Sequence, residues 1–570
     1  MIFRPDLILL HAPSVYDFRK IPNLFGPISD VVPSTPVFEM YPVGFSTIAE
    51  HLERNGVGVQ IINLAYRMLT DADFDVEKKI SKLRPRAFGI DLHWLVHAQG
   101  SIEIAKLCKK YHPDIPVIFG GLSSTYYHEQ LIQYPEIDYV FRGDTTEIPL
   151  LKLMKRILAG ETTCSDIPNL TWKDTQGEMR VNPHSYTLKE LNSFSNNYKN
   201  LFKIAVKYGD IKSMTAIYDW WSYPITAVMT CKGCTHNCVI CGGSHKGLKY
   251  YAHRDKPAYR SPELIVEDIK DISRFTTSPV FIVGDLNQPP NDYGDKVISG
   301  IKKLNMKNHL VVELFTPCES SFFRKLSDAV TNFNVEISPE SHDEEVRRAS
   351  GKFYSNTDME ATIAAALENG CQKFDIFFMI GVPRQTTKSV METIDYCDHL
   401  LKKFGKRVVP FIAPLAPFLD PGSIAYENPG EFGYDILYTT FEEHRTAMLN
   451  PSWKYFLNYQ TKWMTRDQIV DVTYDAGKRL NEIKLAHGLI SESDYKIVSD
   501  KIDYARDLIE RIDNIILNVD GPARDDSLRA LQLDLQKDSI STVCEENEIK
   551  WPVLKSGFKF FQIAKAIVFE

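Results

Sequence analysis

Residues 230–241 read Thr230-Cys231-Lys232-Gly233-Cys234-Thr235-His236-Asn237-Cys238-Val239-Ile240-Cys241, and four of the chain's 10 cysteines fall in this stretch. Its core spacing is C-x3-C-x2-C. Three thiolates on one short loop can hold three irons of a four-iron, four-sulfur cubane and leave the fourth iron open. Clustered cysteines in a chain with so few elsewhere read as metal or redox chemistry, not as a disulfide scaffold. The competing assignment is a structural zinc site with Cys231 as fourth ligand. The spacing suits it poorly, because such sites take paired cysteines from two separated loops. Cys231 itself stays open: a strand-end neighbour of the cluster, an adventitious ligand or a reactive thiol.

Working outward, the cysteines follow a short apolar run, Ala227 to Thr230. Further strands are expected at 280–283, 310–315, 334–337, 373–380 and 407–412. Helices are expected between them. Ser261-Pro262-Glu263 is a helix start, and Thr357-x-x-Glu360 is a capping box for a helix ending at Asn369-Gly370. Six β/α units fall short of eight, so a partial (β/α)6 barrel is the natural closure. Upstream, apolar runs near 6–10, 57–62, 87–90, 116–119 and 139–141 alternate with helical patterns. They predict a parallel, doubly wound, Rossmann-like α/β domain, with its ligand site beyond the carboxyl ends of the strands. Residues 166–220 are mixed and polar and read as a linker. After Asn450 the pattern turns helical, with capping boxes at Thr465-x-x-Gln468 and Ser491-x-x-Asp494. The expected domains are therefore 1–165, a barrel over 221–450 and a helical C-terminal domain over 451–570.

The chain has 570 residues and a formal net charge of −8, so a polyanion is repelled overall and nucleic-acid binding is not expected. It has no run of 18 apolar residues, so no transmembrane segment is expected. The segment Met1-Ile2-Phe3-Arg4-Pro5-Asp6 does not look like a signal peptide, and a cytoplasmic location is expected.

Behind the cysteines come Ile337-Ser338-Pro339-Glu340-Ser341, then Glu344-Glu345, Arg347 and Ser350-Gly351-Lys352, then Phe377-Phe378-Met379-Ile380-Gly381-Val382-Pro383-x-x-Thr386. In this order the motifs resemble the radical S-adenosylmethionine (SAM) superfamily, and more narrowly its members with an N-terminal cobalamin-binding domain. The resemblance runs from about Asp6 to Pro421. It implies that Cys234, Cys238 and Cys241 carry a 4Fe–4S cluster. SAM chelates the open iron and is cleaved by one electron to a 5′-deoxyadenosyl radical. It further implies that Gly284 and Asp285 meet the SAM amino group, with Glu313 reaching inward nearby. Ser338 and Glu340 face the ribose or methionine end, and Ile380, Gly381 and Val382 pack on adenine.

On the cobalamin side, Tyr41-Pro42-x-Gly44, Phe119-Gly120-Gly121 and Arg142-Gly143-Asp144 match the family's loops. The cobalt-ligating D-x-H-x-x-G signature is absent after the first strand, where the loop begins His11-Ala12-Pro13. Asp91-Leu92-His93 and His97-Ala98-Gln99-Gly100 form a split imitation of it after the third. His93, Trp94 and His97 are expected to line the corrin's lower face without ligation. The alternative is an α/β domain that has lost its ligand, since a fold does not fix a ligand. The function implied is a cobalamin-dependent radical SAM methyltransferase acting on an unactivated carbon. Its rivals are radical cyclisation or carbon–carbon coupling, for example on a lipid, and a non-catalytic cobalamin or redox sensor. Expected partners are an electron donor such as ferredoxin or flavodoxin, and a peptide, lipid or small-molecule substrate. The segment Pro414–Gly422 is expected to help shape the substrate pocket.

Overall fold

The computed structural model describes residues 4–21, 23–24, 26–27, 34–193, 198–537, 543–552 and 557–559. The first sheet has seven strands: β1 (Leu7–His11), β2 (Val59–Asn63), β3 (Ala87–Asp91), β4 (Val117–Gly120), β5 (Tyr139–Phe141), β6 (Leu170–Lys173) and β7 (Met179–Val181). Their order is β2-β1-β3-β4-β5-β6-β7. Strands β1 to β5 pair in parallel, and every residue of β1, β2 and β3 is buried. Continuous apolar runs are what a parallel sheet needs when helices cover both faces.

The expected linker is corrected here. Residues 166–220 contribute β6 and β7, which extend the sheet antiparallel. They also supply the helix Tyr198–Lys207, whose Leu201, Phe202, Ile204 and Ala205 are buried in the core of that sheet. The first domain therefore runs well past residue 165.

The second sheet holds the six strands read from the sequence. They are β8 (Thr226–Met229), then, after a short ladder of β9 (Cys231–Lys232) with β10 (Ala258–Tyr259), β11 (Val280–Val283), β12 (Leu310–Leu314), β13 (Phe333–Glu340), β14 (Phe374–Ile380) and β15 (Val408–Pro414). Their order is β8-β11-β12-β13-β14-β15, all parallel, as a partial barrel requires. Trp551 lies across the interior. Its ring is 5.6 Å from that of Phe281 on β11, and its Nε1 donates to Asp375 on β14 at 3.1 Å.

Beyond the barrel, β16 (Tyr434–Ile436) pairs antiparallel with β17 (Tyr459–Thr461). The helices Arg466–Ala486 and Glu492–Asn518 start at the expected capping boxes. The box near residue 357 is displaced: Ser355 caps Asp358, and the helix runs Asn356–Glu368. Ser261 precedes the helix Pro262–Phe275 but makes no side-chain cap. The C-terminal helices are not a separate body. Ile469, Val472, Leu480, Val498 and Leu508 belong to one buried cluster with the barrel and one face of the first sheet. Among the described residues no helix is long and apolar enough to cross a membrane.

Candidate active site

The cysteine loop leaves the barrel at the carboxyl end of β8. The ladder of β9 with β10 closes its base, pairing Cys231 with Tyr259. The Cys231 thiol donates to the Gly233 carbonyl at 3.6 Å. The loop is pinned from outside by backbone. Val239 N–H donates to Ser350 at 3.0 Å, and Ala425 N–H donates to Val239 at 2.8 Å. Gly242 N–H donates to the Asp420 carboxylate at 3.1 Å. Cys234, Cys238 and Cys241 are free thiols, the last of them exposed. Cys234 Sγ already accepts from His236 N–H at 3.3 Å and from Gln288 Nε2 at 3.1 Å. Such hydrogen bonds to sulfur suit a cluster ligand, whose potential they tune.

Next to the loop, the barrel interior encloses a cavity of about 760 Å³. Side-chain parity decides what lines it, because successive residues of a strand face opposite sides. Glu313 of β12, Glu336 and Ser338 of β13, and Asp375, Phe377 and Met379 of β14 face inward. Glu313 Oε2 accepts from Gly284 N–H at 3.0 Å. Gly284 sits at φ +97°, and a β-carbon on it would lie 2.6 Å from Thr230 Oγ1. Leu415, Phe418 and Asp420, from the segment expected to shape the pocket, also line the cavity.

Several residues expected to meet SAM are engaged by the protein in this geometry. Asp285 is buried, and its two oxygens accept from Asn287 and Phe315 N–H groups at 2.8 and 2.9 Å, so it braces a turn and does not line the cavity. Glu340 follows a register shift in β13 and is buried in an ion pair with Lys352 at 2.8 Å. Ile380 and Val382 are fully buried in the core. A β-carbon on Gly381 would lie 2.2 Å from the Tyr459 hydroxyl, and the Gly381 carbonyl accepts from Tyr434 at 3.0 Å. Parity explains Ile380: residues 375, 377 and 379 face in, so 380 faces out.

The sequence reading missed Glu336 and Asp375. With Glu313 they form one row across three strands, Glu313 beside Glu336 and Glu336 beside Asp375. Burial, together with the two neighbouring carboxylates, pushes Glu336 well above the usual carboxylate range. Burial raises Asp375 to about 6 against the pull of Lys373, 3.0 Å away. The signal was present: a lone acid at an alternate position of an otherwise apolar strand.

At the carboxyl edge of the first sheet, Pro42 precedes the helix Val43–Arg54, and a β-carbon on Gly44 or Gly120 would meet nothing within 4 Å. Other expected cobalamin contacts are engaged by the protein. Tyr41 is buried and donates to the Met214 carbonyl at 2.8 Å. Arg142 is buried and donates to the Asn182 carbonyl. Gly143, at φ +102°, is packed beside His184. Gly121 lies at φ +121°, and a β-carbon there would sit 2.5 Å from the His93 backbone nitrogen. Its missing side chain admits the His93 loop. His93 and Trp94 face a small cavity of about 70 Å³ together with Gly242 and Gly243 of the cysteine loop. Trp94 and Asp420 also line the large cavity, so both residues border the two cavities. His97 is buried beneath them.

Residues 30–150 match the B12 binding domain family, and residues 228–397 match the radical SAM superfamily. The chain carries a B12-binding domain and a radical SAM domain. Cytidylyl-2-hydroxyethylphosphonate methyltransferase of Streptomyces wedmorensis is 22% identical over 239 residues, 36% of this chain and 44% of that protein. An uncharacterized methyltransferase of Pyrococcus horikoshii is 26% identical over 230 residues, 40% of this chain and 45% of that protein. The chain thus spans less than half the length of these curated relatives. The radical S-adenosylmethionine methyltransferase TsrM from Kitasatospora setae, solved with cobalamin and a 4Fe–4S cluster, superposes with a TM-score of 0.55 at 15% identity, covering 86% of this chain and 90% of that one. The cobalamin-dependent S-adenosylmethionine radical enzyme OxsB, solved with aqua-cobalamin, gives 0.58 at 11% identity, covering 96% and 78%. The likeness is one of fold: a B12-binding domain joined to a radical SAM barrel.

Proposed function

We propose that the chain is a cobalamin-dependent radical SAM methyltransferase that methylates an unactivated carbon. One observation carries the reading: Trp94, on the B12-binding domain, borders both the cavity in front of the cysteine loop and the barrel cavity. Two cofactor domains that open onto one space can act on one substrate atom. When bound, the cluster with SAM supplies hydrogen abstraction from carbon, and cobalamin supplies the methyl group.

The residues divide the work. Cys234, Cys238 and Cys241 hold the cluster. Glu313 and Ser338, facing inward beside it, orient SAM. Gly44 and Gly120 leave room along the sheet edge, and His93 and Trp94 face the corrin. The apolar side chains Phe281, Phe377 and Met379 exclude water from the barrel cavity, and Glu336, its pKa raised by burial, lines it. An electron donor of the ferredoxin or flavodoxin type reaches the cluster on the side where Cys241 is exposed, in the cytoplasm.

The test is anaerobic turnover with methyl-labelled SAM and a pool of small metabolites, lipids and peptides. Label in a product, with 5′-deoxyadenosine and S-adenosylhomocysteine in near-equal amounts, is expected. Deoxyadenosine alone, with an unmethylated and rearranged or coupled product, would instead favour cyclisation or coupling.

A further inference from the structure

The large cavity in the barrel carries an uneven charge. Among the described residues around it, seven are carboxylic acids and two are lysines. Lys550 is held by Asp219 at 3.3 Å, and Lys501 reaches the cavity from the helix Glu492–Asn518, not from a strand. The charged residues of the strand wall are all acids: Glu313, Glu336 and Asp375, one on each of three neighbouring strands.

Six of the seven acids are engaged by the protein. Glu39 accepts from the Thr35 and Tyr218 N–H groups at 3.0 Å, and Asp420 from Gly242 N–H at 3.1 Å. Glu545 caps the helix Glu546–Ile549. Glu313 accepts from Gly284 N–H at 3.0 Å, and Asp219 holds Lys550. Asp375 meets Lys373 at 3.0 Å and Trp551 Nε1 at 3.1 Å. Glu336 is the exception. Among the described residues its carboxyl group makes no hydrogen bond or ion pair, and it faces the cavity.

Adjacent strands stand about 4.8 Å apart, so Glu336 projects between two other carboxyl groups from a poorly solvated wall. Like charges this close repel, and burial disfavours each of them. An anionic ligand adds to that repulsion. A neutral hydroxyl satisfies one hydrogen bond and leaves the charge as it was. A cation gives Glu336 a charge-assisted partner and relieves its two neighbours as well. The three groups do not bring one oxygen each within 4.8 Å of the other two, which argues against a shared metal ion. The rest of the lining suits an organic cation. Phe281, Phe377 and Trp551 present rings to the same space, and aromatic faces attract ammonium groups.

We infer that the substrate is an organic cation, an amine or other basic-nitrogen compound with an apolar body, whose charged end seats on Glu336. The inference rests on the barrel cavity being the substrate site of the methyltransferase proposed above. It narrows the peptide, lipid or small-molecule range to compounds that carry a basic nitrogen. Glu336 lies two positions before Ser338 on β13, so a skeleton anchored there extends toward the carboxyl end of the barrel, where the cysteine loop stands.

The test is calorimetric titration of the full-length protein, reconstituted anaerobically with its cluster, at neutral pH. Three probes of like shape differ in charge: phenethylamine, phenethyl alcohol and hydrocinnamate. The amine is expected to bind saturably and roughly tenfold to a hundredfold tighter than the alcohol, the gain of a hydrogen bond to a charged group. Hydrocinnamate is expected to bind weakest. Glu336→Gln should remove the amine's advantage over the alcohol, whereas Glu336→Asp, which keeps the charge, should retain it. Alcohol or acid binding as tightly as the amine, an amine advantage unchanged in Glu336→Gln, or no saturable binding of any probe would each overturn the inference. The titration involves no methyl transfer. Amine binding with no label passing from SAM to any product would sink the methyltransferase reading alone, and a labelled product that is an anion would sink this inference alone.

Discussion

Asp375 is buried beside Glu336 and pulled in the opposite sense by Lys373 at 3.0 Å. Burial wins, and its pKa rises to about 6. A carboxyl group whose folded pKa is raised stabilises the fold at low pH and loses that contribution as pH climbs through the folded pKa. A rise of roughly two units corresponds to about 3 kcal/mol, lost between about pH 4 and pH 7. Asp375→Asn has no such titration. The melting temperature of the wild type should therefore fall relative to the variant across that window. A difference that does not change with pH would show that Asp375 does not titrate there. At the same scale, alanine at Cys234, Cys238 or Cys241 should abolish iron binding after anaerobic reconstitution. Alanine at Cys231 should retain it, since its thiol is turned to the Gly233 carbonyl. Iron lost with Cys231→Ala would move that residue into the ligand set. The cysteine spacing was fully legible in the sequence, because a metal triad is a local pattern. The inward carboxylates were less so. Motif matching pointed to Ile380, whereas the alternation Asp375, Phe377, Met379 decides which side chains see the cavity.

The turn Ser350-Gly351-Lys352, at the end of the helix Glu344–Ala349, presses on the cysteine loop. Gly351 lies at φ +92°, and a β-carbon there would sit 2.6 Å from the Asn237 carbonyl. Gly351→Val should therefore cost roughly 1–3 kcal/mol in backbone strain and push the loop away. The expected result is a folded protein with reduced iron content, read by circular dichroism and iron analysis together. Full iron occupancy would mean that the loop tolerates the displacement. Among elements, all eleven parallel strands could be read from the sequence, because buried parallel strands are unbroken apolar runs. Strands β6 and β7 could not. All three residues of β7 are exposed, so its composition carries no burial signal, and only its pairing with β6 makes it a strand. The capping box was misplaced by two residues because Thr357-x-x-Glu360 and Ser355-x-x-Asp358 are both sound local patterns. The structure uses the earlier one.

Across the molecule, Arg254 at the base of the cysteine loop reaches Asp144 at the end of β5. Arg254 Nη2 donates to Asp144 Oδ1 at 2.9 Å, with both side chains largely buried. Lys232 on β9 donates to the Asp144 carbonyl at 2.7 Å. Removing one partner of a buried ion pair strands the other, at a cost of about 3–5 kcal/mol. Arg254→Met should lower the melting temperature and expose the junction between the domains to limited proteolysis. Asp144→Asn should do the same, and the double variant should lose less than the sum of the two. Strict additivity would mean that the pair does not couple the domains. This fastening bears on ancestry. Two domains that meet only through a cavity can be exchanged between relatives like cassettes. Here Asp144, just after β5, and Arg254, packed against the cysteine loop, are 110 positions apart and serve one bond. A chimera that inherits one without the other starts with a stranded charge at its seam. Exchange of one domain is therefore expected to cost stability at this seam unless both residues come from one parent.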